Sequence, residues 1–219
     1  MRPFAQHPSW SEHVDGQQEG QAQALTPTTY HDPYFDQLAV KLLPGQYYVT
    51  GQDKVLVTVL GSCVALCLRD PVLQVGGMTH FMCPLDFGAP KLIDQGLVYG
   101  GYALEILVNQ LIKRGAVRER LEAKAFGGGD VLAAPDSQMI GQRNVDFMRS
   151  YLEAEQIPLV SQSLLGPYPQ KVYFFPLTGR VLVKKLKRLN NNTIFEREAA
   201  YCEQLLQVHI SGNIELFSE

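Results

Sequence analysis

The chain of 219 residues predicts an α/β fold, a layered sandwich of mixed β-sheets with helices on an outer face. Strand-type runs rich in β-branched residues cluster before residue 83 and again after residue 157. Two helix-period segments lie mainly between those clusters, without the strict strand–helix alternation of a doubly wound parallel sheet. With 46% hydrophobic residues, the chain can bury a substantial core as one domain.

Residues 1–40 are rich in Gln, His, Pro, Asp and Thr, and their apolar residues are too scattered to define a face. A disordered N-terminal tail is expected there, with His7, His13 and His31 as solvent-exposed side chains in no metal-ligand spacing. After Pro44-Gly45, Gln46–Thr50 reads as a strand. Lys54–Leu60 is a second, Val64–Leu68 a third running to the Arg69-Asp70-Pro71 turn, and Val75–Met82 a fourth. Residues 101–114 place Leu104, Leu107, Val108 and Leu111 at i, i+3, i+4 and i+7, a core-facing helix ending before Gly115. Leu121–Phe126 reads as a strand running into Gly127-Gly128-Gly129. A second helix follows Gly141, with Asn144 as N-cap and Val145, Met148 and Leu152 along one face. Strands are expected at 158–164, 171–175 and 180–186, a break at Asn190–Thr193, and a last amphipathic helix over Ile194–Val208.

A net charge of −3 and a pI near 6.0 argue against a nucleic-acid binder, which would carry a basic face. The concentrated run Lys184–Arg188 reads as a solvated strand edge. Cys63, Cys67, Cys83 and Cys202 form neither a Cys-x-x-Cys nor a zinc spacing, so no metal or other cofactor is expected. No apolar run is long enough to span a bilayer, and no export signal stands at the N-terminus; a cytoplasmic location with free thiols is the expectation.

The chemistry concentrates at Cys63, where an apolar strand breaks at Gly61-Ser62 and delivers a thiol at a turn; His80 follows 17 positions later. A thiol with a pKa of about 8.5 is mostly protonated at neutral pH and needs a base or a positive field to become a nucleophile. His80 is the candidate base, and the competing reading is a buried cysteine acting as a small hydrophobe. Ser62 is not a G-x-S-x-G nucleophile, and the Gly127–Gly129 run lacks a phosphate-loop pattern; a turn permitting close backbone approach fits it better.

The runs Leu60-Gly61-Ser62-Cys63-Val64-Ala65 and Gly77-Met78-Thr79-His80-Phe81-Met82, followed in order by Leu121–Gly128, Ile140–Asn144 and Thr178–Val183, resemble CheD, the chemoreceptor glutamine deamidase family. The resemblance covers about residues 42–189, so the domain is placed at 41–189, with 190–219 as a C-terminal helix and short strand extension ending in Gly212–Phe217. It implies a fold shared with cysteine hydrolases and bacterial toxin deamidases, Cys63 as nucleophile and His80 as general base. The backbone N–H groups near Ser62 and Cys63 would form the oxyanion site. It also implies a threonine shortly before the cysteine as third catalytic member. Thr58 is the candidate, one residue closer than in the family pattern, where Val57 falls. On a regular strand that offset would turn Thr58 away unless a β-bulge compensates. Implied partners are methyl-accepting chemotaxis receptors, through their cytoplasmic helical region, and a CheC-type phosphatase. A different cysteine amidohydrolase and a non-catalytic chemotaxis binding module remain alternatives.

Overall fold

The computed structural model describes residues 27–83, 90–129, 137–187 and 193–207. Its strands are β1 (Thr28–Asp32), β2 (Gln37–Lys41), β3 (Tyr47–Thr50), β4 (Lys54–Leu60), β5 (Val64–Asp70), β6 (Val75–Phe81), β7 (Glu122–Gly127), β8 (Leu159–Leu164), β9 (Gln170–Phe175) and β10 (Arg180–Lys185). The helices are α1 (Pro90–Lys113), α2 (Ser137–Ala154) and α3 (Thr193–Gln207).

Two five-stranded sheets form, in the orders β1-β2-β4-β9-β10 and β3-β6-β5-β7-β8. Both are mixed: β2 runs parallel to β4 and β7 parallel to β8, and the other neighbours are antiparallel. The predicted sandwich is the observed architecture. The second sheet is covered on both faces, which is why β5 and β6 are buried almost throughout rather than alternating. On its outer face Leu66, Leu68 and Phe81 pack against Leu104, Leu107 and Leu111 of α1 and Val145, Met148 and Leu152 of α2. On its inner face Ala65, Cys67 and Met78 meet Leu56, Leu60, Val172 and Phe174 of the first sheet.

Three expectations change. Residues 28–40, assigned by composition to the tail, form β1 and all of β2 but Lys41, and the two strands pair with each other and join the first sheet through β4. Strand β1 is a mostly exposed edge strand that carries little apolar signal, whereas β2 lies between β1 and β4 and buries only Ala39 and Val40 of its five residues. His31 lies on β1 and not in a tail, exposed beside Asp36. Helix α1 begins at Pro90, eleven residues before the predicted start, where proline suits a first helical turn; the Gly100-Gly101 pair obscured the continuation. Asn144 is no cap: α2 begins at Ser137 and encloses it. Residues 1–26 with His7 and His13, the break at Asn190–Asn192, and Gly212–Phe217 lie outside the described residues.

Candidate active site

Cys63 sits where the chain leaves β4 in one sheet and enters β5 in the other. The three-residue turn Gly61-Ser62-Cys63 is held from behind through its carbonyls. Gly129 N–H donates to Gly61 O at 2.8 Å, Asn144 Nδ2 to Ser62 O at 2.9 Å, and Gly128 N–H to Cys63 O at 2.8 Å. Each peptide unit sets its carbonyl opposite its N–H. Anchoring the Gly61 and Ser62 carbonyls therefore aims the Ser62 and Cys63 N–H groups forward, away from the anchors. The glycine run permits this approach: Gly127 has φ +100°, and a Cβ there would collide with Cys63 O. The predicted close-approach turn is what the run forms, and its partner is the cysteine turn itself.

Into the forward-pointing N–H groups comes a carboxylate that sequence reasoning did not single out. Glu198, on α3, accepts from Gly61 N–H at 2.7 Å and Cys63 N–H at 3.3 Å on Oε1. Its Oε2 accepts from Ser62 N–H at 2.8 Å and the Ser62 hydroxyl at 2.7 Å. A concavity of successive main-chain N–H groups is an anion-binding nest.

His80 lies on β6 opposite Ala65 of β5, its ring in the space between the sheets. Its Nδ1 is 2.8 Å from Thr58 Oγ1, and that hydroxyl donates to Leu42 O at 2.9 Å. A hydroxyl has one proton to give. With that proton committed to Leu42, Thr58 accepts from His80, which places the imidazole proton on Nδ1 and the lone pair on Nε2. Nε2 is buried and has no hydrogen-bond partner among the described residues. Thr58 needs no bulge to reach the ring: the β4–β9 register is regular from Leu56 to Leu60, and Thr58 shares the inward face with both. Parity is lost only at the Gly61–Cys63 turn.

One ring nitrogen of His80, Cys63 Sγ and one Glu198 oxygen lie within 4.8 Å of one another. Nδ1 is bound to Thr58, so Nε2 is the nitrogen available to the thiol. Thiol, imidazole and carboxylate are a metal-ligating set, but both Glu198 oxygens are already committed to main-chain donors, and a cation would have to displace them. Burial pushes the Cys63 thiol well above its usual pKa, and the Glu198 charge and its hydrogen bond add to the effect. Burial also lowers His80, to about 4, against the opposing pull of the Glu198 charge and a backbone contact at Leu42. The pair therefore rests as thiol and neutral imidazole. Cys67 packs between the sheets, and burial raises its thiol pKa far above the ordinary range. All four cysteines are free. Beside the site opens a cleft of about 430 Å³, with Thr58, His80 and Glu198 in its wall and Lys41, Lys171 and Arg197 around it.

A family model described as CheD chemotactic sensory transduction matches residues 88–185. A probable chemoreceptor glutamine deamidase CheD 1 of Shewanella oneidensis is 49% identical over 194 residues, 88% of this chain and 94% of the relative. A probable chemoreceptor glutamine deamidase CheD of Janthinobacterium is 53% identical over 190 residues, 86% and 94% of the two chains. One from Xanthomonas campestris is 47% identical over 191 residues, 86% and 93%.

Proposed function

The chain belongs to the CheD family, and from that membership and the Cys63–His80 pairing we propose that it hydrolyses glutamine side chains of methyl-accepting chemotaxis receptors to glutamate, releasing ammonia, in chemotactic adaptation. The observation that carries the reading is a buried, partnerless imidazole nitrogen beside a thiol, next to a nest of main-chain N–H groups already holding a carboxylate.

In the proposed reaction the Cys63 sulfur attacks the carboxamide carbon while its proton passes to His80 Nε2. The developing oxyanion is held by the N–H groups of Ser62 and Cys63, a kind of interaction worth about 3 kcal/mol in other enzymes. The imidazolium returns its proton to the nitrogen as the C–N bond breaks and ammonia leaves. Water, deprotonated by the same ring, then opens the thioester to glutamate and free thiol. Thr58 keeps Nε2 turned toward the sulfur by holding Nδ1–H and is a positioning residue. No cofactor is needed by these steps.

Methyl-accepting receptors have cytoplasmic helical regions, so the cytoplasm is the proposed place of action. Among the described residues no helix is long and apolar enough to cross a membrane. The resemblance also supports a CheC-type phosphatase as a further partner. Co-expression with a receptor, followed by mass spectrometry of its glutamines, tests the activity. The wild-type chain should convert specific Gln to Glu, and Cys63→Ala or His80→Ala should reduce conversion to background with the fold intact. Conversion retained in either purified variant would sink the assignment.

A further inference from the structure

The helix α3 buries the wrong kind of residue for a helix docked by its apolar face. Ile194, Glu198, Tyr201 and Leu205 fall at i, i+4, i+7 and i+11, one stripe. Of residues 193–205 only Glu198 and Leu205 are buried, and the charged one is the deeper, at 3% exposure against 8%. A carboxylate is costly to bury unless its bonds are satisfied. Glu198 finds four donors in the cysteine turn, where the glutamate product of the proposed reaction would lie. The Cys63 side chain is left with no solvent exposure.

The rest of the docking is made by aromatic and apolar contacts. Tyr201 lies over Gly45, whose added Cβ would stand 2.6 Å from the ring, and with Cys202 it touches the inter-sheet core. Arg197 is set beside Lys41 and Lys171 at the cleft, where like charges oppose the helix's seating.

We propose that α3 is a built-in product mimic: Glu198 fills the anion nest and closes Cys63 off, and the substrate helix docks in the groove that α3 vacates. This rests on the deamidase reading. The groove then fits an amphipathic helix that presents Gln where Glu198 sits, with an acidic residue preferred where Arg197 meets the two lysines. In Glu198→Gln the chain would present its own substrate. Cys63 adds to the carboxamide carbon introduced at position 198, ammonia leaves with the proton from His80, and water hydrolyses the thioester to restore glutamate.

The test uses the full chain in five forms: wild type, Glu198→Ala, Tyr201→Ala, Glu198→Gln, and Glu198→Gln combined with Cys63→Ala. Iodoacetamide labelling of Cys63, read by peptide mass spectrometry, should be roughly tenfold or more faster in Glu198→Ala and Tyr201→Ala than in wild type, because the thiol is uncovered. Position 198 of Glu198→Gln should read back as glutamate, and as glutamine when Cys63→Ala is added. Tyr201→Ala alters none of the groups that contact the thiol and loosens only the helix that carries Glu198, so it decides the matter if Glu198→Ala does not fold. Labelling no faster than wild type in the folded variants overturns the proposal. So does a glutamine that persists at position 198 in protein able to convert receptor glutamines. Faster labelling with no hydrolysis of any glutamine upholds the plug and rejects the deamidase reading.

Discussion

Strand β5 runs between two buried carboxylates that are held in opposite ways. At its far end Asp70, with no side-chain exposure, accepts from the N–H groups of Val72, Leu73 and Val117 and from Arg120, whose Nη2 lies 2.6 Å away. At its near end Glu198 meets a comparable set of main-chain donors and pairs with no cation among the described residues. Burial alone would raise the Asp70 pKa. The Arg120 guanidinium and the backbone donors outweigh it and hold the carboxyl well below the usual range. Glu198 faces a thiol and a neutral imidazole instead. Asp70 is bound within the turns around its own sheet, whereas Glu198 arrives from a helix at the other end of the chain. The first carboxylate is a fastening, and the second occupies a place made for something else.

The largest effect should come from the fastening. Asp70→Ala leaves Arg120 and three N–H groups without their partner and should cost about 3 kcal/mol. At about 2–4 °C per kcal/mol for a chain of this size, that lowers Tm by roughly 6–12 °C, while Cys63 labelling stays at the wild-type rate. A Tm within experimental error of wild type would remove the distinction between the two ends.

The pocket should instead reveal itself through pH. His80 falls from 6.5 to about 4 on folding. Between those values the unfolded chain binds a proton that the folded chain refuses, so stability is lost as pH falls from 6.5 toward 4 and flat below. The loss approaches about 3 kcal/mol. Asp70 behaves as a depressed carboxylate, its contribution present above 3.8 and lost at lower pH, so the two ends titrate in different windows. Urea denaturation from pH 7 to 4 should show the steeper slope in wild type than in His80→Gln. Equal slopes would mean that the imidazole is not held neutral.

The smallest effect sharpens the pocket itself. Thr58→Val removes the acceptor of Nδ1–H and the donor to Leu42 O, and should slow turnover by roughly 10- to 100-fold while lowering Tm less than Asp70→Ala does. Thr79→Val, whose hydroxyl reaches toward Gln46 O at 3.4 Å, should keep its rate. Full activity for Thr58→Val would leave the ring's orientation to its packing alone.

How much of this was legible follows from where each signal resides. Strands β4 and β5 were readable because largely buried runs such as Val55–Leu60 and Val64–Leu68 have a composition that a sheet interior explains. Strand β1 was not, because an exposed edge strand needs no apolar face, and β2 offered only the short buried pair Ala39-Val40 beside a polar stretch. Cys63 and His80 were legible through local motifs. Glu198 was not: it meets Cys63 across 135 positions, and helix periodicity alone hides it. A charge standing in the apolar stripe of Ile194, Tyr201 and Leu205 was the one available signal. Asn144 was misread for a related reason. Its type suits a cap, but its amide donates to Ser62 O and accepts from Cys83 N–H, a long-range brace invisible to local rules.

The anion nest is aimed by residues that never touch the anion. Apart from the Ser62 hydroxyl its donors are main-chain groups, so most single replacements within Gly61–Cys63 leave those N–H groups in existence. Their aim, however, is set by Gly128, Gly129 and Asn144, more than sixty positions downstream. Genetic damage to the site would therefore map to a distance: missense changes at a glycine or an amide far from Cys63 would look, in a screen for lost function, like lesions of Cys63 itself.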